Sequence, residues 1–328
     1  MKVGVLVFNL GGPETLRDVK PFLYRLFSDP EIIRIKFTPL RKLVAYTIAT
    51  LRRRKSEGYY AQIGGGSPIR RLTEDQARAL QQELTARGNN AQTFVGMCAA
   101  PPFLEEAIDN VGRSGVDRLV ILPLFPQFST TTTGSGFPVL ERLIAARPQF
   151  KSTDVRWVRE WFDHPAYIEA FALAIQRELD KSAAPDQTHI LFSAHSIPES
   201  YVRQGDPYLD QTMKSVELIV ERLRRMGFEN SHQLSFQSKV GPQKWLSPMT
   251  SEVLIELGKQ GMQDVLVVPI SFVSEHSETL YELDILYKKA AANAGIANFR
   301  RVPALNSDPV FVRALADIVE GALRGSPQ

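Results

Sequence analysis

Val265–Tyr287 reads VLVVPISFVSEHSETLYELDILY. Its first four residues, Val265 to Val268, are aliphatic without a break, the pattern of a strand covered on both faces in a parallel sheet. Pro269 ends the run because it has no amide proton to give to a ladder. Ser274, Glu275, His276, Ser277 and Glu278 fall just past that strand, where open α/β sheets place their ligands. A helical pattern follows, with Glu278, Tyr281, Glu282 and Ile285 on one face. Two carboxylates one turn apart repel, so such a face either meets solvent or handles cations or protons.

The pattern occurs twice. Gly115–Pro123 (GVDRLVILP) and Gly261–Pro269 (GMQDVLVVP) match in register: glycine, a polar turn, a buried strand, proline. The first copy runs on into Phe125, Phe128 and the hydroxyl-rich Ser129–Thr133. Val3–Pro13 has a similar partner in His189–Pro198. Two βα halves are therefore expected, with a seam near Gln149–Thr153 and a tail helix over Pro309–Leu323. The length of 328 residues independently favours two domains.

Composition is that of an ordinary globular chain, 44% apolar and 23% charged. A net charge of +3 gives no argument for nucleic acid as a partner. The single cysteine, Cys98, excludes an internal disulfide framework and an all-cysteine cluster. The first apolar run stops at Gly11-Gly12-Pro13, too early for a membrane span, and reads as a strand rather than a signal peptide. Leu23–Lys55 mixes bulky apolar residues with Arg34, Lys36, Arg41, Lys42 and the run Arg52–Lys55. That suits a membrane surface or an anionic apolar ligand, or equally a packed helix with a solvated basic end. The loop Ile63–Pro68 (IGGGSP) has glycines able to cradle an anion, without the Lys and Ser/Thr of a P-loop.

Among five histidines, His164, His189 and His232 read as structural or surface residues. His195 and His276 each follow a buried strand and lie near Glu275 and Glu278. Imidazole titrates near neutrality and binds borderline metals, and a carboxylate beside it accepts protons or a harder cation. No HExxH or Cys/His array is present, which argues against a closed zinc site. Trp245 sits in a loop-like stretch, and Phe192, Phe236, Phe272 and Tyr281 flank the cluster. The sum is a cleft with aromatic walls, suited to a flat anionic ligand whose chemistry involves protons or a metal ion.

Asn9–Glu14 (NLGGPE), Ile63–Ile69 (IGGGSPI), Leu191–Pro198 (LFSAHSIP), Gly205–Tyr208 (GDPY), Phe236–Pro242 (FQSKVGP) and Pro269–Asp284 come in an order that closely resembles ferrochelatases, bacterial and cyanobacterial members above all. These are lyases that insert ferrous iron into a porphyrin in haem synthesis. The resemblance implies two flavodoxin-like halves, each a parallel sheet flanked by helices, with the cleft between them. Residues 1–150 with the terminal stretch 306–328 would form the first half, and 151–305 the second. It implies that His195 and Glu278 are catalytic, supported by His276 and Glu275. Trp245, Arg142, Leu10, Ser67, His276 and Tyr281 would contact the porphyrin, and His195, Glu278 and Glu282 would meet the metal. Iron is then a substrate, and no cofactor or iron–sulfur cluster is expected. Residues 23–55 would form a lip over the cleft that touches a membrane from the cytoplasmic side.

One departure stands out. Relatives carry Arg-Tyr-x-His-Pro where this chain has Cys98-Ala99-Ala100-Pro101-Pro102, so the wall there should be wider and less basic. It motivates one alternative, a catalytically impaired porphyrin- or haem-binding protein.

Overall fold

The structure, a computed structural model, describes residues 1–241 and 243–325. Pro242, the end of the FQSKVGP motif, and residues 326–328 of the terminal stretch lie outside the described residues. The chain divides into two compact units, Met1–Trp161 with the chain from Val312 onward, and Phe162–Phe311.

Each unit holds a four-stranded parallel sheet among its described residues. The first contains β1 (Val3–Asn9), β2 (Ala91–Met97), β3 (Arg118–Pro123) and β4 (Asp154–Trp157), in the order β2-β1-β3-β4. The second contains β5 (His189–His195), β6 (His232–Gln237), β7 (Asp264–Val268) and β8 (Asn298–Arg301), in the order β6-β5-β7-β8. The two orders are the same, so the internal repeat of the sequence is a repeat of architecture. β1 is buried along its whole length, and β5 and β7 nearly so, whereas β2 and β8 at the edges are only partly covered. Helices on both faces of a parallel sheet require this, which is why the central strands read as unbroken apolar runs.

The repeated glycines have one job. Gly115 and Gly261 have φ of +64° and +80°, the left-handed conformation that closes a helix. Each turns the chain from a helix, Leu104–Ser114 or Thr250–Lys259, into the strand of the repeat. The helices bury apolar faces on the sheets: Leu104, Ile108 and Val111 on Leu6, Phe8, Leu119 and Ile121, and Val253, Leu254 and Leu257 on Leu191, Val265 and Val267. Helix Thr250–Lys259 also meets the turn at Ala294 backbone to backbone: a Cβ on Gly258 would sit 2.1 Å from the Ala294 carbonyl oxygen.

The helix expected after Ser277 is present but wound differently. Glu278–Tyr287 is a π-helix, with i→i+5 bonding. Its buried residues are Thr279, Leu283 and Tyr287, every fourth position. These three line one face, the face the helix lays on the core. The tail helix, Pro309–Arg324, is fastened to the first unit by charge: Arg87 Nη1 lies 2.5 Å from Asp317 Oδ1, and Asn89 donates to Glu320 at 2.9 Å. Among the described residues, no helix is long and apolar enough to cross a membrane.

Candidate active site

In the second unit the carboxyl ends of β5 and β6 and the start of the π-helix converge. His195 is the last residue of β5, Gln237 the last of β6, and Glu278 the first of the π-helix. His195 Nδ1 lies 2.8 Å from Glu278 Oε2. With Nδ1–H directed at the carboxylate, neutral His195 keeps its basic lone pair on Nε2. Ser238 Oγ lies 2.5 Å from Glu278 Oε2 and 2.7 Å from Glu282 Oε2. Gln237 Nε2 donates to the Glu278 carbonyl at 3.2 Å and to Glu282 Oε2 at 3.4 Å, while its Oε1 accepts from Ser193 Oγ at 2.6 Å. A continuous polar chain therefore runs Ser193–Gln237–Glu282–Ser238–Glu278–His195.

The backbone of His195 is held from both sides. Tyr208 donates to the His195 carbonyl at 2.8 Å, and the His195 amide donates to Ser271 Oγ at 3.3 Å. Tyr208 and Ser271 are themselves 2.6 Å apart. Fixing the main chain at these two atoms fixes where the imidazole starts, and so limits its swing.

Charge follows from that geometry. Burial opposes a charged His195, but the adjoining Glu278 carboxylate overrides it and raises the imidazole above its ordinary value. Burial likewise opposes ionised Glu278, yet His195, His276 and the Ser238 hydroxyl bring it well below the usual carboxylate range. Glu282 behaves oppositely: burial and the neighbouring Glu278 charge push it up to about 7. Two carboxylates bridged by one hydroxyl are thus made unequal, one ionised and one readily protonated. His276 is lowered, chiefly by burial, and stays neutral.

His276 Nε2 is 3.9 Å from Glu278 Oε1, and its ring packs on Phe272 with centroids 4.5 Å apart. Phe272 also presents its ring to His195, at 6.3 Å. Tyr281 lies half-buried on the π-helix. Trp245 forms a bridge with Pro198, two residues past the His195-Ser196 pair, and its indole Nε1 is buried without a hydrogen-bond partner. Among the described residues, no group of three or more His, Cys, Asp or Glu side chains is gathered to hold a metal ion.

Glu275 acts on His276 by charge alone, and its hydrogen bonds go elsewhere. Its Oε1 accepts from Arg301 Nη1 and from the Ala304 amide, both at 2.9 Å. Arg301 in turn forks onto both oxygens of Asp284 at 2.7 Å. Arg301 of β8 thus holds the π-helix through Asp284 and the loop before it through Glu275.

Leu10, Ser67 and Arg142 belong to the first unit. Leu10 packs on an apolar cluster that includes Val19, Phe22, Tyr60 and Ala99. Arg142 is exposed on helix Thr133–Ala145, its Nε donating to the Pro138 carbonyl. Ser67 is buried, with its amide on the Pro13 carbonyl at 2.7 Å. The glycine loop around it packs tightly on the NLGGPE turn: a Cβ on Gly66 would sit 2.0 Å from the Glu14 carbonyl oxygen, and one on Gly12 would sit 2.7 Å from Ser67 Cβ. Close approach of two loops accounts for Gly12 and Gly66, while Gly64 and Gly65 stand in the left-handed region with φ of +101° and +91°. At the departure from the family pattern, Ala99, Ala100 and Pro101 line a cleft of ≈ 280 Å³ with Phe22, Arg25 and Arg70.

Gln237, Ser238, Tyr208 and Ser271 carry no role in the sequence reading. All four lie inside quoted stretches, FQSKVGP, GDPY and Pro269–Asp284, which is the signal that marks them.

The ferrochelatase family profile matches residues 2–323. The chain is 52% identical over 327 residues to the ferrochelatase of Rippkaea orientalis, covering 99% of this chain and 84% of that one. It is 52% identical over 323 residues to that of Synechococcus elongatus, covering 98% and 83%. For the ferrochelatase of Synechococcus sp. strain JA-2-3B'a(2-13) the identity is 51% over 319 residues, covering 97% and 92%. Among solved structures, SirB from Bacillus subtilis with Fe3+ superimposes with a TM-score of 0.57 at 12% identity, covering 99% of this chain and 96% of that one. A multi-domain Deinococcus radiodurans protein with structural similarity to chelatases gives 0.56 at 13%, covering 100% of this chain and 56% of that one. These two speak to the fold alone. With its profile match and its half-identical relatives along nearly the whole length, this chain belongs to the ferrochelatase family.

Proposed function

We propose that this protein inserts Fe2+ into a porphyrin, protoporphyrin IX giving protohaem, with release of two protons, and that His195 and Glu278 carry the exchange. A free porphyrin holds two inner N–H protons, and iron reaches the nitrogens only when those protons leave and the ring is bent. Iron and porphyrin are both substrates in this reading, and no resident cofactor is needed. The observation that supports it is the 2.8 Å contact of His195 with Glu278 at the carboxyl ends of the strands. Nε2 of His195 is the atom offered to a pyrrole proton. When it takes that proton, the imidazolium forms against a carboxylate already ionised, so the charge created is compensated where it arises. Glu282, protonated near neutrality and joined to Glu278 through Ser238, offers the next place for a proton or cation. Trp245, Tyr281 and His276 are the residues of this unit assigned to the porphyrin; Leu10, Ser67 and Arg142 are those of the other.

The impaired, binding-only alternative gains no support, because the His195–Glu278–Glu282 set is complete despite the Cys98–Pro101 departure. A peripheral membrane contact from the cytoplasm belongs to the same reading. Its basis is the helix Thr38–Gln62, around which Phe37, Leu43 and Leu51 are 67%, 62% and 77% exposed, next to the basic run Arg52–Lys55.

Anaerobic assay with Fe2+, comparing protoporphyrin with coproporphyrin, tests the activity and names the porphyrin. Turnover with either is the expected result. Tight porphyrin binding with no insertion of Fe2+ or Zn2+ would sink the proposal.

A further inference from the structure

We infer that Ser238 is a positioning residue for the metal-insertion reaction: its hydroxyl sets the Glu278 carboxylate against His195 and yokes it to Glu282. The inference rests on the function proposed above and adds a residue to it.

Two observations point the same way. The first is the backbone. Ser238 follows the end of β6 with φ of +67°, in the left-handed region where a side chain is strained and glycine is not. Gly241, three residues on, has φ of +79° and takes that conformation freely. A serine held there keeps a hydroxyl in a place that backbone preference alone would give to glycine. Strain of this kind persists where the surroundings impose it, and an observed outlier is a pointer to function.

The second is where the hydroxyl goes. Ser238 Oγ is 2.5 Å from Glu278 Oε2 and 2.7 Å from Glu282 Oε2. Glu278 Oε2 is also the atom that meets His195 Nδ1 at 2.8 Å. That oxygen is therefore pinned between the imidazole and the serine. The preceding residue, Gln237, reaches the Glu278 carbonyl and Glu282 Oε2. Gln237 and Ser238 together brace one turn of the π-helix from outside, and they hold two carboxylates side by side that would otherwise repel. Without the hydroxyl, Glu278 keeps one partner on Oε2 and is free to rotate about its side-chain torsions, and Glu282 loses its tie to it.

Ser238 touches the carboxylates, so its removal should lower kcat and leave porphyrin affinity alone. Ser238→Gly separates hydroxyl from backbone because it relieves the left-handed strain as it deletes Oγ. Ser238→Ala deletes Oγ and keeps the strain. Zn2+ insertion read by fluorescence, with porphyrin KM and kcat determined separately, decides the matter. Both variants are expected to lose roughly ten-fold or more in kcat with porphyrin KM within about two-fold of the parent, and Ser238→Gly should unfold at no lower urea than the parent. A Ser238→Gly protein with the parent's kcat, or one that loses only porphyrin affinity, overturns the assignment of Ser238. A parent protein that inserts no metal overturns the function itself, and the assignment with it.

Discussion

The two units share a frame and differ in what they put on it. Leu119 of β3 and Val265 of β7 are the same position of the repeat, and they pair with Gly4 of β1 and His189 of β5. Counting along those strands, Leu10 occupies the place of His195. Through the pairings of β2 and β6, Cys98 and Ala99 stand where Gln237 and Ser238 stand. One unit fills these three positions with leucine, cysteine and alanine, which join apolar clusters. The other fills them with histidine, glutamine and serine, which join a hydrogen-bonded chain. A strand order that delivers three side chains to one edge is thus neutral about chemistry. The residue types at the edge decide whether it becomes core or active site.

The largest effect is expected where a residue of the first unit is written into the second. His195→Leu, which writes the first unit's residue into the second, should lower metal insertion by about 10²–10⁴-fold while porphyrin still binds. Retained turnover would mean that the strand end is not the seat of the chemistry. The next effect concerns stability. Arg301 is partly buried between Glu275 and Asp284, and Arg301→Gln leaves both carboxylates without their cation. A loss of about 2–3 kcal/mol in urea unfolding is expected, and a loss under about 1 kcal/mol would show the clamp to be decorative.

The smallest effect is a pH dependence. Glu282 ionises at about 7 in the folded chain against an ordinary value near 4.5, because burial and Glu278 oppose its charge. Between those values the folded state holds a proton that the unfolded state has released, so this group makes stability fall as pH rises through the window. Gln cannot ionise, so Glu282→Gln should match the parent at the acid end and exceed it progressively up to about pH 7, then by a constant margin. Urea midpoints across that range check the sign. A margin that shrinks with pH would mean that Glu282 is stabilised as the anion.

Much of the frame was legible because its signals are local. Val265–Val268 reads as a doubly covered strand from four residues, and the Gly…Pro repeat marks both copies. His195 and Glu278 were marked by lying next to buried strands. The π winding has no signal in the sequence: Glu278 with Glu282, and Thr279 with Leu283 and Tyr287, share a face in either winding. The partner of Glu275, Arg301, is twenty-six residues away, and adjacency along a loop says nothing of direction. Ser238 stands in the FQSKVGP motif, but the residue itself does not declare its role. A small polar residue after a strand reads as a turn, and its backbone angle has no sequence signature unless the residue is glycine.

The fit between Gly258 and Ala294 bears on how this molecule tolerates change. Contacts between side chains can be retuned by trading one volume for another, but main chain against main chain has no such adjustment. The segment leaving the π-helix is therefore gauged by a dimension that ordinary drift of surface residues does not touch. A side chain at residue 258 fits only if the turn at Ala294, and with it the chain leaving the π-helix, moves away.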